Sequence, residues 1–224
     1  MTTDFFIKRR LRYFFSAVLF SMVVAFSMYA NSYTRARFVW VGKTFYFLVS
    51  TDTHIQSATH TMRLDGGAGY LLVNAERSYT AYSVYLTADI AQAVQAGMQE
   101  ETLLVEKRVE YLAFRGKDKK CADLYCGALN ALYGCVDVLS QTISLLENGA
   151  VQQTCKRILQ ILENQFGYMA TQYHAQYPAL ASVCETLRSG INELSANIVF
   201  CNDLRYLLCY ACDKYVCMSS FLSI

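Results

Sequence analysis

The chain has 224 residues, a length that limits it to one or two domains. Hydrophobic residues make up 54% of the sequence and charged residues 17%, so a disordered chain is disfavoured. The formal net charge of +2 provides no strong positive field, and nucleic acid is therefore not expected as a partner. The single proline, Pro178, is typical of a helix-rich chain, because long helices tolerate almost no interior proline.

The N-terminal region predicts a membrane anchor. No charged residue occurs from 13 to 34, and the stretch 13–30 is almost wholly apolar, which is enough helix to span a bilayer. Four basic residues precede this stretch: Lys8, Arg9, Arg10 and Arg12. The positive-inside rule then predicts a cytoplasmic stub over 1–12, a single transmembrane helix over 13–34 and everything after residue 35 outside the cell membrane. A cleaved signal peptide and a buried soluble helix are the alternatives.

A small α/β unit is predicted to follow the anchor. An aromatic and β-branched run predicts a strand over 40–49, and a helix carrying Ile55 to Leu64 ends at the glycines Gly66 and Gly67. The later elements are two hairpin strands over 69–74 and 79–86, a helix opened by Thr87 and Asp89, and a last strand over 103–105 or 109–114. The predicted order is therefore β-α-β-β-α-β.

This order is combined with two local patterns, the turn Gly66-Gly67-Ala68-Gly69-Tyr70 and the aromatic stretch from 79 to 91. Together they resemble the SPOR domain family of peptidoglycan-binding modules over about residues 42–114. Two places depart from the family pattern: Val-Gly-x-Phe after the first strand is replaced by Val49-Ser50-Thr51-Asp52, and Gly-Pro-Phe near the third strand is replaced by Ser83-Val84-Tyr85. The resemblance implies a four-stranded sheet with both helices on one face and the other face open to a glycan strand.

An open sheet face with aromatic side chains can stack on sugar rings. If Phe45, Phe47 and Val49 face the helices, the side-chain alternation of a strand sends their neighbours to the open face. The candidate glycan-binding residues are therefore Tyr46, Leu48, Tyr79, Ala81 and Ser83. A register error of one residue would reverse this assignment, and packing of these aromatic residues in a core is the alternative.

Residues 118–224 predict an antiparallel, coiled-coil-like bundle of three helices. Apolar residues recur at spacings of three and four from Ala122 to Leu146, from Cys155 to Tyr173 and from Leu180 to Cys201. Short connections make such helices antiparallel neighbours. The tail from 197 is apolar but contains charges that argue against a second membrane span. It can continue the third helix, cover the bundle or offer an apolar patch to a partner.

All nine cysteines lie between Cys121 and Cys217, and an odd number cannot pair completely within one chain. Most of them fall on or beside the apolar seams, where a thiol packs as a small hydrophobic group. The Cys209-x-x-Cys212 motif leaves open a zinc site or a disulfide in the tail. Because no second such motif or nearby histidine completes a zinc site, no metal and no other cofactor is expected.

The sequence contains no nucleophile elbow, phosphate-binding loop, dinucleotide fingerprint or metalloprotease helix, so no catalytic residues are assigned and the chain is not expected to be an enzyme.

The leading prediction is a single-pass bacterial envelope protein. Its SPOR-like domain would bind peptidoglycan glycan strands in cell division or sporulation, and its bundle would form a homo-oligomer or bind an envelope protein. The alternative is a structural interaction protein without glycan binding, whose bundle oligomerises or recruits a membrane partner. A third, weaker hypothesis is a thiol-disulfide or metal protein built on the Cys209-x-x-Cys212 motif.

Overall fold

The computed structural model is α+β, and the residues that it describes form a four-stranded antiparallel sheet and six helices. It describes Met22 and residues 37–51, 55–73, 77–98, 100–114 and 119–220. In chain order the elements are β1 (Arg37–Ser50), α1 (Ile55–Leu64), β2 (Tyr70–Val73), β3 (Ser78–Tyr85), α2 (Ala88–Gly97), β4 (Thr102–Phe114), α3 (Lys119–Glu147), α4 (Gln152–Tyr173), α5 (Pro178–Ala196) and α6 (Cys201–Ser220). Apart from Met22, the predicted stub and transmembrane helix lie outside the described residues.

The predicted order β-α-β-β-α-β is confirmed, and both segments proposed for the last strand belong to β4. The strands lie in the order β2-β3-β1-β4, and every neighbouring pair is antiparallel. This is the arrangement of two interleaved β-α-β units. β1 pairs with β4 from Arg37 to Ser50, but with β3 only over 46–49. Residues 37–44 and 108–114 therefore form a two-stranded ribbon that extends beyond the rest of the sheet.

A glycine-rich turn joins α1 to β2, as the sequence predicts. The N–H of Gly67 donates to the carbonyl of Met62 at 2.8 Å, which closes the end of α1. Gly69 has a φ of +60°, and a Cβ atom there would lie 2.6 Å from the carbonyl oxygen of Thr59. Glycine is therefore required at this position both by the backbone conformation and by the close approach of α1.

The described C-terminal residues, 119–220, form four helices rather than the predicted three. Asn197 has an extended conformation and ends α5, so the tail forms a separate helix, α6, instead of continuing the third helix. Within the described part of the chain, α3 is the one helix long and apolar enough to cross a membrane. Ten of its residues are buried in the protein, and the same composition is found in core helices.

Helix α6 packs against α3 and against β2, β3 and β4 of the sheet. The ring of Phe45 lies 5.4 Å from that of Tyr215 on α6 and 6.1 Å from that of Tyr133 on α3. The sheet face that carries Phe45 is thus covered by the C-terminal helices. Leu48, which alternation places on the opposite face, is also buried, and α1 and α2 pack on the sheet as well. One hydrophobic cluster contains the buried residues of both the sheet and the helices.

Candidate interaction surfaces

The five residues predicted to bind glycan do not form one exposed surface. Leu48, Ala81 and Ser83 are buried, and Tyr46 and Tyr79 are half-buried. The expected exposure of the first three is therefore not observed.

An irregularity in the sheet separates part of this set. Leu48 is paired with Ser83, but the register shifts at the next residue, so that Val49 lies opposite Ala81. The prediction assumes that side chains alternate between the two sheet faces in the same register along β1 and β3. Because the register shifts, the side chains of the two strands do not alternate in step over their whole length.

A buried polar cluster joins α6 to two strands. The hydroxyl of Tyr70 on β2 donates to Oδ2 of Asp213 at 2.9 Å, and Nζ of Lys107 on β4 donates to Oδ1 of the same carboxylate at 2.8 Å. Burial, together with the negative charge of Asp213, raises the pKa of Tyr70. Because each oxygen of the buried carboxylate has a donor, this cluster fixes the position of α6 on the sheet.

The Cys209-x-x-Cys212 motif lies on the buried side of α6, in the core. Both thiols are fully buried, and burial raises the pKa of each of them above the ordinary value. All nine cysteines are free. In the part of the chain that the structure describes, no group of three or more His, Cys, Asp or Glu side chains is placed to hold a metal ion. These two thiols therefore pack as small hydrophobic groups, since a buried neutral thiol is a poor nucleophile and a poor metal ligand.

The first turns of α6 are held by charged residues from two other helices. Arg63 at the end of α1 forms an ion pair with Asp203 at 2.6 Å. Arg205 forms an ion pair with Glu147 at the end of α3 and donates a hydrogen bond to the carbonyl of Gly66. The N-terminal end of α6 is thereby fixed between the ends of α1 and α3.

A groove of about 1210 Å³ lies between α5, the C-terminal end of α4 and the first turns of α6. Its α5 side consists mostly of small side chains: Ala181, Ser182, Thr186, Ser189 and Gly190. Tyr206 and Leu207 of α6 line the groove as well. A Cβ atom on Gly190 would lie 2.7 Å from Cδ2 of Leu207, so α5 and α6 approach each other closely at that point.

Three acidic residues line this groove: Glu185, Glu193 and Asp203. Asp203 is paired with Arg63, and Glu185 is paired with Arg188 at 2.6 Å. Among the described residues, no Lys, Arg or His lies within 4 Å of the Glu193 carboxylate. The groove therefore combines a wall of mostly small side chains with one acidic group, Glu193, that is available to a cation.

This groove is not among the features predicted from the sequence. The prediction of the third helix rests on its apolar seam and says nothing of the residues beside that seam. The signal that was available is a run of small residues at helical spacing, from Ala181 through Ser182, Thr186 and Ser189 to Gly190. That signal indicates close packing of some helix on this side, but it does not say that the space is left open.

Comparisons of the chain with protein-family models, with curated proteins and with solved structures found no match.

Proposed function

We propose that this chain is a membrane-tethered protein of the bacterial cell envelope that acts by binding a partner rather than by catalysis. The predicted helix over 13–34 supplies the tether, and the groove between α4, α5 and α6 supplies the binding site. The groove is the single observation that carries the proposal. The sheet then acts as the support that holds the helices in place.

The burial of α6 favours this interaction role over glycan binding on the sheet face that α6 covers. Several of its side chains are almost completely buried: Leu204, Leu208, Cys209, Cys212, Tyr215 and Met218. Full burial of one large apolar side chain contributes about 1.5–3 kcal/mol, so removing α6 would cost on the order of 10 kcal/mol. The total stability of a domain is about 5–15 kcal/mol, so α6 is part of the core rather than a lid that a ligand displaces.

We propose an amphipathic helix of a partner protein as the occupant of the groove. A helix is about 10–12 Å across, so a volume of this size accommodates roughly two to three of its turns. Most small-molecule pockets are smaller, at about 300–1,000 Å³. Small side chains along α5 allow close approach of a partner, and a helix lying in an apolar groove is a recurrent mode of peptide recognition.

The charge distribution indicates one feature of the partner. Glu193 borders the groove without a cationic neighbour among the described residues, whereas the other two acids are already paired. A Lys or Arg on the polar side of the partner helix would complete this arrangement. The contribution of such a contact at the rim lies mainly in orientation and association rate.

Site-specific photocrosslinking in cells of the native host tests the proposal. A photoreactive residue at Ser189, which is exposed in the groove, should give a discrete crosslinked product. The same residue at Gln160, which is exposed on α4 and does not line the groove, should not give that product. Mass spectrometry of the crosslinked peptide should identify an apolar helical segment that contains Lys or Arg. The absence of a product, or a crosslink to a second copy alone, would contradict the proposal.

A blocking variant gives an independent readout. Ser182→Trp places a large side chain in the groove and should abolish the crosslink from Ser189, whereas Gln160→Trp should leave it unchanged. Both positions are exposed, so the free energy of unfolding should change by no more than about 0.5 kcal/mol. Loss of the crosslink in both variants would indicate a general disturbance and would remove the assignment to the groove.

Glycan binding by a SPOR-like domain remains the competing prediction, and Tyr46 and Tyr79 keep part of their surface exposed. Sedimentation of the full chain, in detergent, with purified sacculi distinguishes the two functions. The proposed interaction role predicts that the chain stays in the supernatant. Retention that is lost in Tyr46→Ala and Tyr79→Ala variants would instead support glycan binding.

A further inference from the structure

The ribbon carries an exposed pair of aromatic side chains. Trp40 on β1 and Tyr111 on β4 are cross-strand partners and are 59% and 53% exposed. Their ring centroids are 4.8 Å apart, and the rings meet edge to face at 71°. Leu112, the residue after Tyr111 on β4, is buried, so alternation gives the ribbon an apolar side in the core and an aromatic side in solvent.

The backbone holds this pair in place. The register of β1 and β4 shifts between Trp40 and Lys43, and Gly42 in this segment has a φ of +60°. A Cβ atom at Gly42 would lie 2.7 Å from Nε1 of Trp40, so the indole ring lies directly over the glycine backbone. With Gly42 beneath it and Tyr111 beside it, the exposed indole is ordered before any ligand arrives, which reduces the entropy lost on binding.

The position of Trp40 in the chain indicates what covers the pair. The uncharged N-terminal stretch ends at Thr34, six residues before Trp40. A chain extends by at most about 3.6 Å per residue, so Trp40 lies within roughly 20 Å of the end of the proposed membrane span. The described part of β1 already begins at Arg37. The ribbon is therefore the part of the sheet that is nearest to the tether along the chain.

We propose that Trp40 and Tyr111 lie in the interfacial layer of the membrane and hold the folded part of the chain against the lipid surface. Trp and Tyr are enriched at this layer because an apolar ring and a polar N–H or O–H match its two sides. The layer is about 5–8 Å thick on each side of the hydrocarbon core, which is enough to receive two adjacent rings. The inference rests on the proposed tether but is independent of the groove.

Trp40 is the only tryptophan of the chain, so its fluorescence reports on this site alone. The full chain is reconstituted into phosphatidylcholine–phosphatidylglycerol vesicles whose lipids carry bromine at a shallow or a deep acyl position. Shallow bromine should quench the emission of Trp40 more than deep bromine does, and the vesicles should protect it from acrylamide.

A relocated tryptophan provides the matched control. The double variant Trp40→Tyr and Tyr168→Trp keeps an aromatic residue in the ribbon and moves the reporter to α4, where Tyr168 is 68% exposed. The fluorescence of the relocated tryptophan should be insensitive to brominated lipid and should be quenched by acrylamide. Equal lipid quenching at both positions would overturn the specific placement of the ribbon.

The remaining outcomes distinguish a failure of the interfacial placement of Trp40 from a failure of the membrane tether. If the chain floats with vesicles but Trp40 is insensitive to bromine, the tether stands and the interfacial placement is overturned. Protection from acrylamide without lipid quenching would show that a second copy or another protein covers the pair, which also overturns the placement. If the chain does not float with vesicles, the tether fails and the inference fails with it.

Discussion

Helix α6 meets the rest of the molecule in two different ways. Toward the sheet, its apolar side chains are buried, and Asp213 accepts hydrogen bonds from two strands. Beside α5, its first turns line a groove that no described residue fills. The stability of the fold is therefore concentrated on the sheet side of α6. We therefore expect substitutions there to be far more damaging than substitutions on the groove side.

The largest effect is expected for Asp213→Ala. The substitution leaves the Lys107 ammonium group without its buried partner and removes the acceptor of the Tyr70 hydroxyl. Breaking a buried pair in this way costs about 3–5 kcal/mol. Urea unfolding of the full chain in detergent micelles, followed by far-ultraviolet circular dichroism, measures the loss.

Asp203→Ala is the matched control for this prediction, because it removes the ion pair of the same helix with Arg63 at a more exposed position. Exposed pairs contribute about 0–1 kcal/mol, so the control should unfold close to the unmodified chain. Equal destabilisation by the two variants would contradict the claim that the sheet side of α6 carries the stability.

A smaller effect is expected for Tyr70→Phe, which removes one hydrogen bond to the Asp213 carboxylate. A hydrogen bond to a charged group contributes about 1.5–3 kcal/mol. Tyr215→Phe removes a hydroxyl on the same interface that is buried and has no hydrogen-bond partner among the described residues. It should therefore leave the free energy of unfolding unchanged or raise it. A loss in Tyr215→Phe as large as that in Tyr70→Phe would mean that its hydroxyl is paired in solution.

The buried thiols predict a loss of stability at alkaline pH. Burial raises the pKa of Cys135 to about 11 and that of Cys184 to about 12. A thiol in the unfolded chain titrates near about 8.5, so the folded state binds more protons above that pH. The stabilising contribution of each thiol to the free energy of unfolding is complete below about pH 8.5. Above that pH it falls by about 1.4 kcal/mol per pH unit, until the pKa of the thiol in the folded state is reached.

Urea unfolding at a series of pH values between about 8 and 10 measures this slope. Cys184→Ala removes one of these buried thiols and should give a shallower pH dependence, although the variant is less stable at neutral pH because of the cavity. If the unmodified chain and the variant show the same slope, Cys184 does not titrate in this window and the assignment is wrong.

The elements of the sheet follow from local patterns, and the sequence predicts them well. The aromatic run of β1 and the glycines after α1 are examples of signals that act within a few residues. The long apolar repeat of α3 is equally clear. Each of these patterns determines the structure of its own segment without reference to distant parts of the chain.

The position of α6 does not follow from such patterns. Asp213 reads as a solvent-exposed charge that interrupts an apolar tail, because its partners Lys107 and Tyr70 are 106 and 143 residues away in the chain. The shift of register next to Leu48 is also invisible in a period-two alternation. Both features arise from packing between distant segments, and they decide which sheet residues remain exposed.

Gly190→Ala gives the smallest expected effect and tests the groove side directly. The new methyl group would lie 2.7 Å from Cδ2 of Leu207, so that side chain must move away. Leu207 borders the groove and has free space into which it can rotate. Alanine in a helix is favoured over glycine by about 1 kcal/mol, and this gain should offset most of the cost of the rearrangement.

Gly134→Ala on α3 is the matched control, because no atom lies within 4 Å of its new Cβ, and the variant should be stabilised by the helix propensity alone. If Gly190→Ala is less stable than the unmodified chain by more than about 1 kcal/mol while the control is stabilised, Leu207 cannot move, the groove side is as tightly packed as the sheet side, and the space assigned to a partner helix is not available.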